Sequence, residues 1–303
     1  MMRVIVFLLL FPFTTEAVVA QCTTTDATDC WCPDSTAQCD LLPDISVSWF
    51  GLEDYMGGPD EYSQSGNGVN NGRLRFSAST PNSGHGPLTV RGSNYFVCGQ
   101  DTLLGDPGVC PDGKAPKQLV VQRIYQKDGN LMSFRDVWAG AMAYHPTHGH
   151  NHVDDWGVFT LRLEDVNEPD PRNWPIVGEG TKLGFCLMDF GTCDGFNGHC
   201  RDDNTVYNQG SVLSNADHPN WGLGGGNYNC SPVEQGISSG YTDIYPENID
   251  GQWINIPPGT CNGQYYIVAE VDPSNNFIEE DETNNYTAIP ITLSLQDPPG
   301  NPS

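Results

Sequence analysis

The stretch THGHNHVDDWGVFTLRLED, residues 147 to 165, decides the fold. Its first half carries His148, His150 and His152 at a spacing of two, and its second half, from Trp156, is rich in aromatic and β-branched residues. Side chains alternate along an extended chain, so three imidazoles at i, i+2 and i+4 project to one face and converge. On a helix the same spacing would fan them over about 400° of rotation. The stretch is therefore read as strand. Of the 7 histidines in the chain, four fall between His145 and His152, a density that points to chemistry. His145, separated from the others by Pro146, is expected to support the site or face a substrate rather than to be a ligand.

The same strand character recurs outward from this stretch. ISVSWF (45–50), LRFSAS (74–79), QLVVQRIY (118–125), WGVFTLRLED (156–165), YYIVAEVD (265–272) and YTAIPITLSL (286–295) are short β-rich runs. Loops dense in Gly, Pro, Asn and Asp separate them and supply the dihedrals that turns need. Helical periodicity is scarce, and the sequence predicts an all-β, sandwich-like domain with long disulfide-stapled loops. The longest of these, roughly 187 to 250, has few strand signals, and loops of that length are usually functional or stapled.

The opening MMRVIVFLLLFPFTTEAVVAQC combines Arg3, an apolar run over Val4 to Phe13 and small residues at Val18 and Ala20. It reads as a secretory signal cut after Ala20, and no later run is long enough to span a bilayer. The expected organisation is a signal over 1–20, a cysteine-rich segment over 21–40, a main β domain over 41–295 and a disordered tail over 296–303. Export places the 11 cysteines in an oxidising compartment, where close pairs become disulfides and an odd number leaves one over. Cys98 with Cys110 and Cys186 with Cys193 are the expected short-loop pairs, and Cys22, Cys30, Cys32 and Cys39 a separate knot. Asn229 and Asn285 lie in sequons.

The formal net charge is -25, and loss of the signal leaves it unchanged because Arg3 and Glu16 leave together. Such a surface repels nucleic acid and anionic membranes and attracts cationic substrates. Three imidazoles suit zinc, copper, nickel and iron alike. A zinc hydrolase, with water activated at an open coordination position, and a non-catalytic, metal-stabilised extracellular module both remain open on the histidines alone.

Four further segments narrow the choice. HPTHGHNHVDDW (145–156), GTKLGFCLMD (180–189), QGISSGYTDIYPENIDGQWINIPPG (235–259) and VDPSNNFIEEDETNN (271–285) together resemble the lysyl oxidase family, particularly its microbial-type members. LLPDI (41–45), LRFSASTPNSGHGPL (74–88) and QRIYQKDG (122–129) are similar to the family's earlier strands, so the resemblance runs from residue 41 to about 295. It implies a secreted copper-dependent amine oxidase that takes primary amines, peptidyl lysine or small cationic amines, and uses dioxygen. The copper ligands it implies are His148, His150 and His152. Its lysine tyrosylquinone cofactor falls on Lys182 and Tyr245. Asp154, Asp155 and Asp189 are candidates for the general base. The resemblance also implies calcium on Glu279, Asp281, Asn284 and Asn285, with Asp44 and the carbonyl of Ile45. Oxygen ligands of that density suit calcium, the alternative being a polar hairpin turn, and a glycan on Asn285 would compete with ligation. The chain departs from the animal branch at Thr147, where those enzymes have a cysteine. It departs again at Tyr241 and Gly251, where they have a disulfide pair around the quinone tyrosine. The Tyr245 loop is then expected to be held by Trp253 or by other cysteines.

Overall fold

The computed structural model describes residues 22–65, 68–193, 199–200, 218, 220–225 and 228–296. The expected signal over 1–20, the tail beyond Gln296 and much of the loop between 194 and 217 lie outside the described residues. In chain order the strands are β1 (Gln38–Leu41), β2 (Asp60–Glu61), β3 (Arg73–Arg75), β4 (Ala78–Pro81), β5 (Leu88–Cys98), β6 (Asp101–Leu104), β7 (Lys117–Asp128), β8 (Leu131–His145), β9 (His150–Val153), β10 (Gly157–Arg162), β11 (Ile176–Glu179), β12 (Gly191–Thr192), β13 (Glu234–Ile237), β14 (Tyr241–Tyr245), β15 (Trp253–Asn255), β16 (Gly263–Val271) and β17 (Tyr286–Leu293). Among the described residues the one α-helix is the five-residue α1, Trp49–Glu53. The fold is all-β.

A seven-stranded sheet follows the path β13-β5-β7-β8-β9, with β1 added to β7 and β6 to β5. A four-stranded sheet runs β11-β10-β16-β17, and two three-stranded sheets run β12-β14-β4 and β15-β3-β2. Alternation determines which face of each strand is buried. Along β7, Val120, Gln122 and Ile124 are buried, and along β16, Tyr265, Ile267, Ala269 and Val271. Leu88, Val90, Val120 and Met142 from the large sheet share one core with Phe159, Leu161, Ile267 and Ile289 from the four-stranded sheet. Each such side chain removed from water contributes about 1.5–3 kcal/mol.

Four expectations are corrected. ISVSWF is not a strand: Ile45 forms only an isolated bridge to Asn82, and Ser48 caps α1 by accepting from the Gly51 amide at 3.2 Å. LRFSAS breaks between β3 and β4. Cys186 pairs with Cys230, and Cys193 with Cys200, rather than with each other. Cys98 and Cys110 do pair, and Cys261 is free. The N-terminal cysteines form two bridges, Cys22–Cys30 and Cys32–Cys39, but they do not stand apart from the domain. Cys22, Ala27 and Cys30 pack with Leu41, Tyr125 and Leu223, and the Lys127 ammonium donates to the Ala27 carbonyl at 2.6 Å.

Candidate metal and cofactor site

β8 and β9 form an antiparallel hairpin in which His145 stands opposite His150, and Ala143 opposite His152. The sequence reading placed His148 on the strand. Here it lies in the turn before it, with its amide and that of Gly149 both donating to the His145 carbonyl, at 3.1 and 2.8 Å. Gly149 takes a φ of 73°, a left-handed conformation that costs glycine little. The turn folds His148 back over β9, and the three nitrogens still converge. His148 Nδ1 lies 3.2 Å and His150 Nε2 3.1 Å from His152 Nε2, the spacing that nitrogens sharing one ion at about 2.0–2.1 Å require.

His145 joins the cluster more closely than expected. Its ring stacks on His152 at 4.7 Å and meets His148 at 4.5 Å, and a ring nitrogen lies with theirs within 4.8 Å. Thr147 Oγ1 is 2.9 Å from His145 Nδ1. Burial pushes the His152 imidazole down to about 3, with Lys182 next in effect, and acts in the same direction on His148 and His150. Neutral imidazoles are the form that binds metal.

The Lys182 segment lies alongside β9 because Val153 and Phe185 exchange backbone hydrogen bonds, at 2.7 and 3.1 Å. Burial lowers the Lys182 ammonium to about 8, against the opposing charge of Asp250. Its Nζ sits 4.8 Å from the Phe185 ring centre. Tyr245, at the end of β14 and buried, places its ring centre 4.4 Å from that of Phe185. The fold thus gathers Lys182 and Tyr245 around one shared aromatic, next to the histidines.

Tyr245 donates its hydroxyl to Asp243 Oδ2 at 2.9 Å. Asp243 also accepts from the Met188 and Ile244 amides, at 3.0 and 2.8 Å, and burial lifts its carboxyl to about 8. The three expected bases are engaged elsewhere. Asp154 pairs with Lys117 at 2.8 Å, Asp155 accepts from Ser274, and Asp189 accepts from the Ser238 amide and hydroxyl at 2.7 and 2.8 Å. The carboxylates that meet the site are Asp243 and the exposed Asp250, whose charge acts on Lys182 and His148. Sequence reasoning missed both, although Asp243 stands two residues before Tyr245, on the same strand face by simple alternation.

The Tyr245 loop is held by Arg75 and Trp253, and none of the observed disulfides closes on it. The Arg75 guanidinium donates to the Glu247 carbonyl at 2.8 Å and to that of Ile249 at 2.8 Å. It lies 5.2 Å from the Trp253 ring, with Arg73 at 3.8 Å. Gly251 takes a φ of 81°; a Cβ there would lie 3.1 Å from that of Lys182.

A second cluster joins Asp44 and Ile45 to the 279–285 turn. Asn284 Nδ2 donates to Asp44 Oδ1 at 2.8 Å, Asn285 Nδ2 to Glu279 Oε1 at 2.8 Å and the Ile45 amide to Glu279 Oε2 at 2.6 Å. Burial raises the Glu279 carboxyl well above its usual value. The Asn284 and Asn285 amide oxygens are buried without a hydrogen-bond partner among the described residues, as acceptors awaiting a cation would be. Asp281 turns Oδ1 to the Thr283 amide and hydroxyl, at 2.8 and 2.6 Å, and sits at the rim. Ile45 contributes its amide to this network. Asn285 is only 5% exposed, which disfavours a glycan there; Asn229 is exposed.

A family model described as lysyl oxidase matches residues 224–297. Human lysyl oxidase homolog 3 is 32% identical over 142 residues, 47% of this chain and 14% of its own length. Human protein-lysine 6-oxidase is 29% identical over 149 residues, 49% of this chain and 27% of its own. Lysyl oxidase homolog 3B of Danio rerio is 29% identical over 166 residues, 54% and 16% respectively. The chain spans 14% to 27% of the length of these curated relatives.

Proposed function

We propose, from the premise that this chain belongs to the lysyl oxidase family, that it is an exported, copper-dependent amine oxidase whose quinone is built from Lys182 and Tyr245. Its substrates on this reading are dioxygen and primary amines, either peptidyl lysine or small cationic amines. The observation that carries the reading is the meeting of three neutral imidazole nitrogens, 3.1 and 3.2 Å apart, beside a lysine whose ammonium is lowered to about 8. Imidazole alone does not separate copper from zinc, and the family supplies that choice.

When formed, the quinone supplies an electrophilic carbonyl that condenses with a primary amine and, with dioxygen as final acceptor, gives aldehyde, ammonia and hydrogen peroxide. The chain's residues prepare the ground for it. His148, His150 and His152 would hold the copper. Lys182, partly desolvated against Phe185, keeps a useful fraction of its amine unprotonated and nucleophilic. Asp243 fixes the Tyr245 hydroxyl by its hydrogen bond. Asp250, exposed beside the lysine and His148, meets the ammonium of an incoming amine. Calcium is assigned to the 279–285 turn with Asp44, on its hard oxygen donors.

The test is metal content with peptide mapping after copper loading in air. We expect one copper, one peptide joining Lys182 to Tyr245 that reacts with phenylhydrazine, and peroxide release from primary amines. Unlinked peptides and no peroxide would replace the oxidase by a metal-stabilised module, and hydrolysis by zinc-loaded protein would replace it by a hydrolase.

A further inference from the structure

Thr80 and Trp156 are 3% and 1% exposed, yet Thr80 Oγ1 and Trp156 Nε1 are enclosed without a hydrogen-bond partner among the described residues. Buried donors without partners are uncommon because each has lost its water and gained nothing in exchange. These two are not scattered. Both residues line one small cavity against the Tyr245 ring, just large enough for a water-sized molecule and walled by apolar groups including Val47, Ala78 and Phe185. Burial dominates at the phenol and disfavours its charged form, while Thr80 and Trp156 both act the other way. Both side chains are thus near enough to the phenol to favour its charged form, yet neither forms a hydrogen bond among the described residues. The phenol oxygen itself donates to Asp243.

A phenol oxygen brings its own hydrogen, whereas a quinone oxygen has none and can only accept. Indole N–H can only donate, a hydroxyl can donate, and a carboxyl lifted by burial to about 8 carries a proton at neutral pH and can donate too. In the unmodified chain the phenol gives its hydrogen to Asp243 and the Thr80 and Trp156 donors stay unbonded, whereas an oxygen with no hydrogen could accept from all three. We propose that Thr80 and Trp156 hold the oxygen of residue 245 once its ring is oxidised, so that the pocket is complementary to the quinone rather than to the tyrosine from which it is made. The proposal rests on the amine-oxidase reading. Dioxygen is the oxidant: one molecule turns the phenol into an ortho-quinone with release of one water. Addition of the Lys182 amine then gives a reduced ring that a second dioxygen re-oxidises, leaving as hydrogen peroxide.

The Trp156 indole N–H is the reporter. In ¹⁵N-labelled wild-type chain its side-chain resonance, identified by its loss in Trp156→Phe, is recorded before any copper is added. It is recorded again after loading in air and removal of the copper. The expected result is a downfield shift of the indole proton and slower exchange with solvent in the cross-linked protein. Thr80→Val and Trp156→Phe should each raise the carbonyl stretching frequency of the mature quinone relative to wild type. An indole resonance that does not move, in protein whose cross-link is verified by peptide mapping, overturns the proposal and leaves the oxidase reading intact. Failure of wild-type protein to form the cross-link at all overturns both.

Discussion

On the amine-oxidase reading proposed above, Lys182 is the residue on which cofactor formation turns, since only its neutral amine can add to an oxidised ring. Its ammonium is lowered from 10.5 to about 8, so the rate of cross-linking should climb as pH rises through about 8 and level off above it. Copper on the neighbouring imidazoles adds positive charge and should move that midpoint lower still. Linkage gives the accompanying stability term a definite sign. Between about 8 and 10.5 the unfolded chain keeps a proton that the folded chain has released, so stability contributed by this group rises with pH across that window. Denaturant midpoints at several pH values, compared with those of Lys182→Met, check this. Lys182→Arg, with a guanidinium that stays charged, should keep its copper and lose the cross-link, read by intact mass. His150→Ala should lose the copper while its circular dichroism stays native. At this scale the histidine spacing was legible, since the imidazoles do converge, and Lys182 and Tyr245, singled out by the resemblance, do meet at one ring, Phe185. The partners of Asp154, Asp155 and Asp189, which are Lys117, Ser274 and Ser238, were not legible, because they lie far away along the chain.

At the scale of elements, the segment after Tyr245 depends on Arg75. Hydrogen bonds from a charged donor are worth about 1.5–3 kcal/mol each, so Arg75→Ala should cost about 2–4 kcal/mol in chemical denaturation and reduce the yield of cross-linked peptide. Gly251→Ala should cost about 1–2 kcal/mol for its left-handed backbone alone, and its methyl would press on the Lys182 stem. The strands of this chain were readable where β-branched and aromatic residues ran together, as in β7, β10, β16 and β17. ISVSWF was misread because a local cap at Ser48 outcompeted a weak alternation. The Cys186–Cys193 pairing was misread because disulfides follow Cα proximity, 5.1 Å for Cys186–Cys230, and proximity of that kind is set by sheets that sequence spacing does not reveal.

On the scale of the whole molecule, a net charge of -25 makes the folded chain repel itself and attract cations. Cationic amines should therefore be oxidised with a kcat/KM that falls as salt is added, since exposed charges are screened over about 8–10 Å at ordinary ionic strength, while neutral amines should respond little. Parallel salt titrations with a diamine and a neutral primary amine measure the difference, and identical slopes would remove electrostatic steering. The same charge bears on the turn that ties residues 279–285 to Asp44. Calcium at about a hundredfold excess over its dissociation constant adds about 2.7 kcal/mol. Chelation should lower the melting temperature, and Asp44→Ala should abolish that sensitivity; an unchanged melting curve in chelator would count against a cation there.

The hairpin that carries the histidines also fixes an order in time. β7, β8 and β9 follow one another directly, Lys117 to Val153, and contacts so local in sequence form early. All four histidines of the hairpin are therefore in the growing chain before Tyr245, 93 residues beyond His152, has been synthesised. At about 5–20 residues per second, that interval is roughly 5–20 seconds. On the amine-oxidase reading, the nitrogen donors proposed for the copper are thus in the growing chain before the phenol that the copper would oxidise.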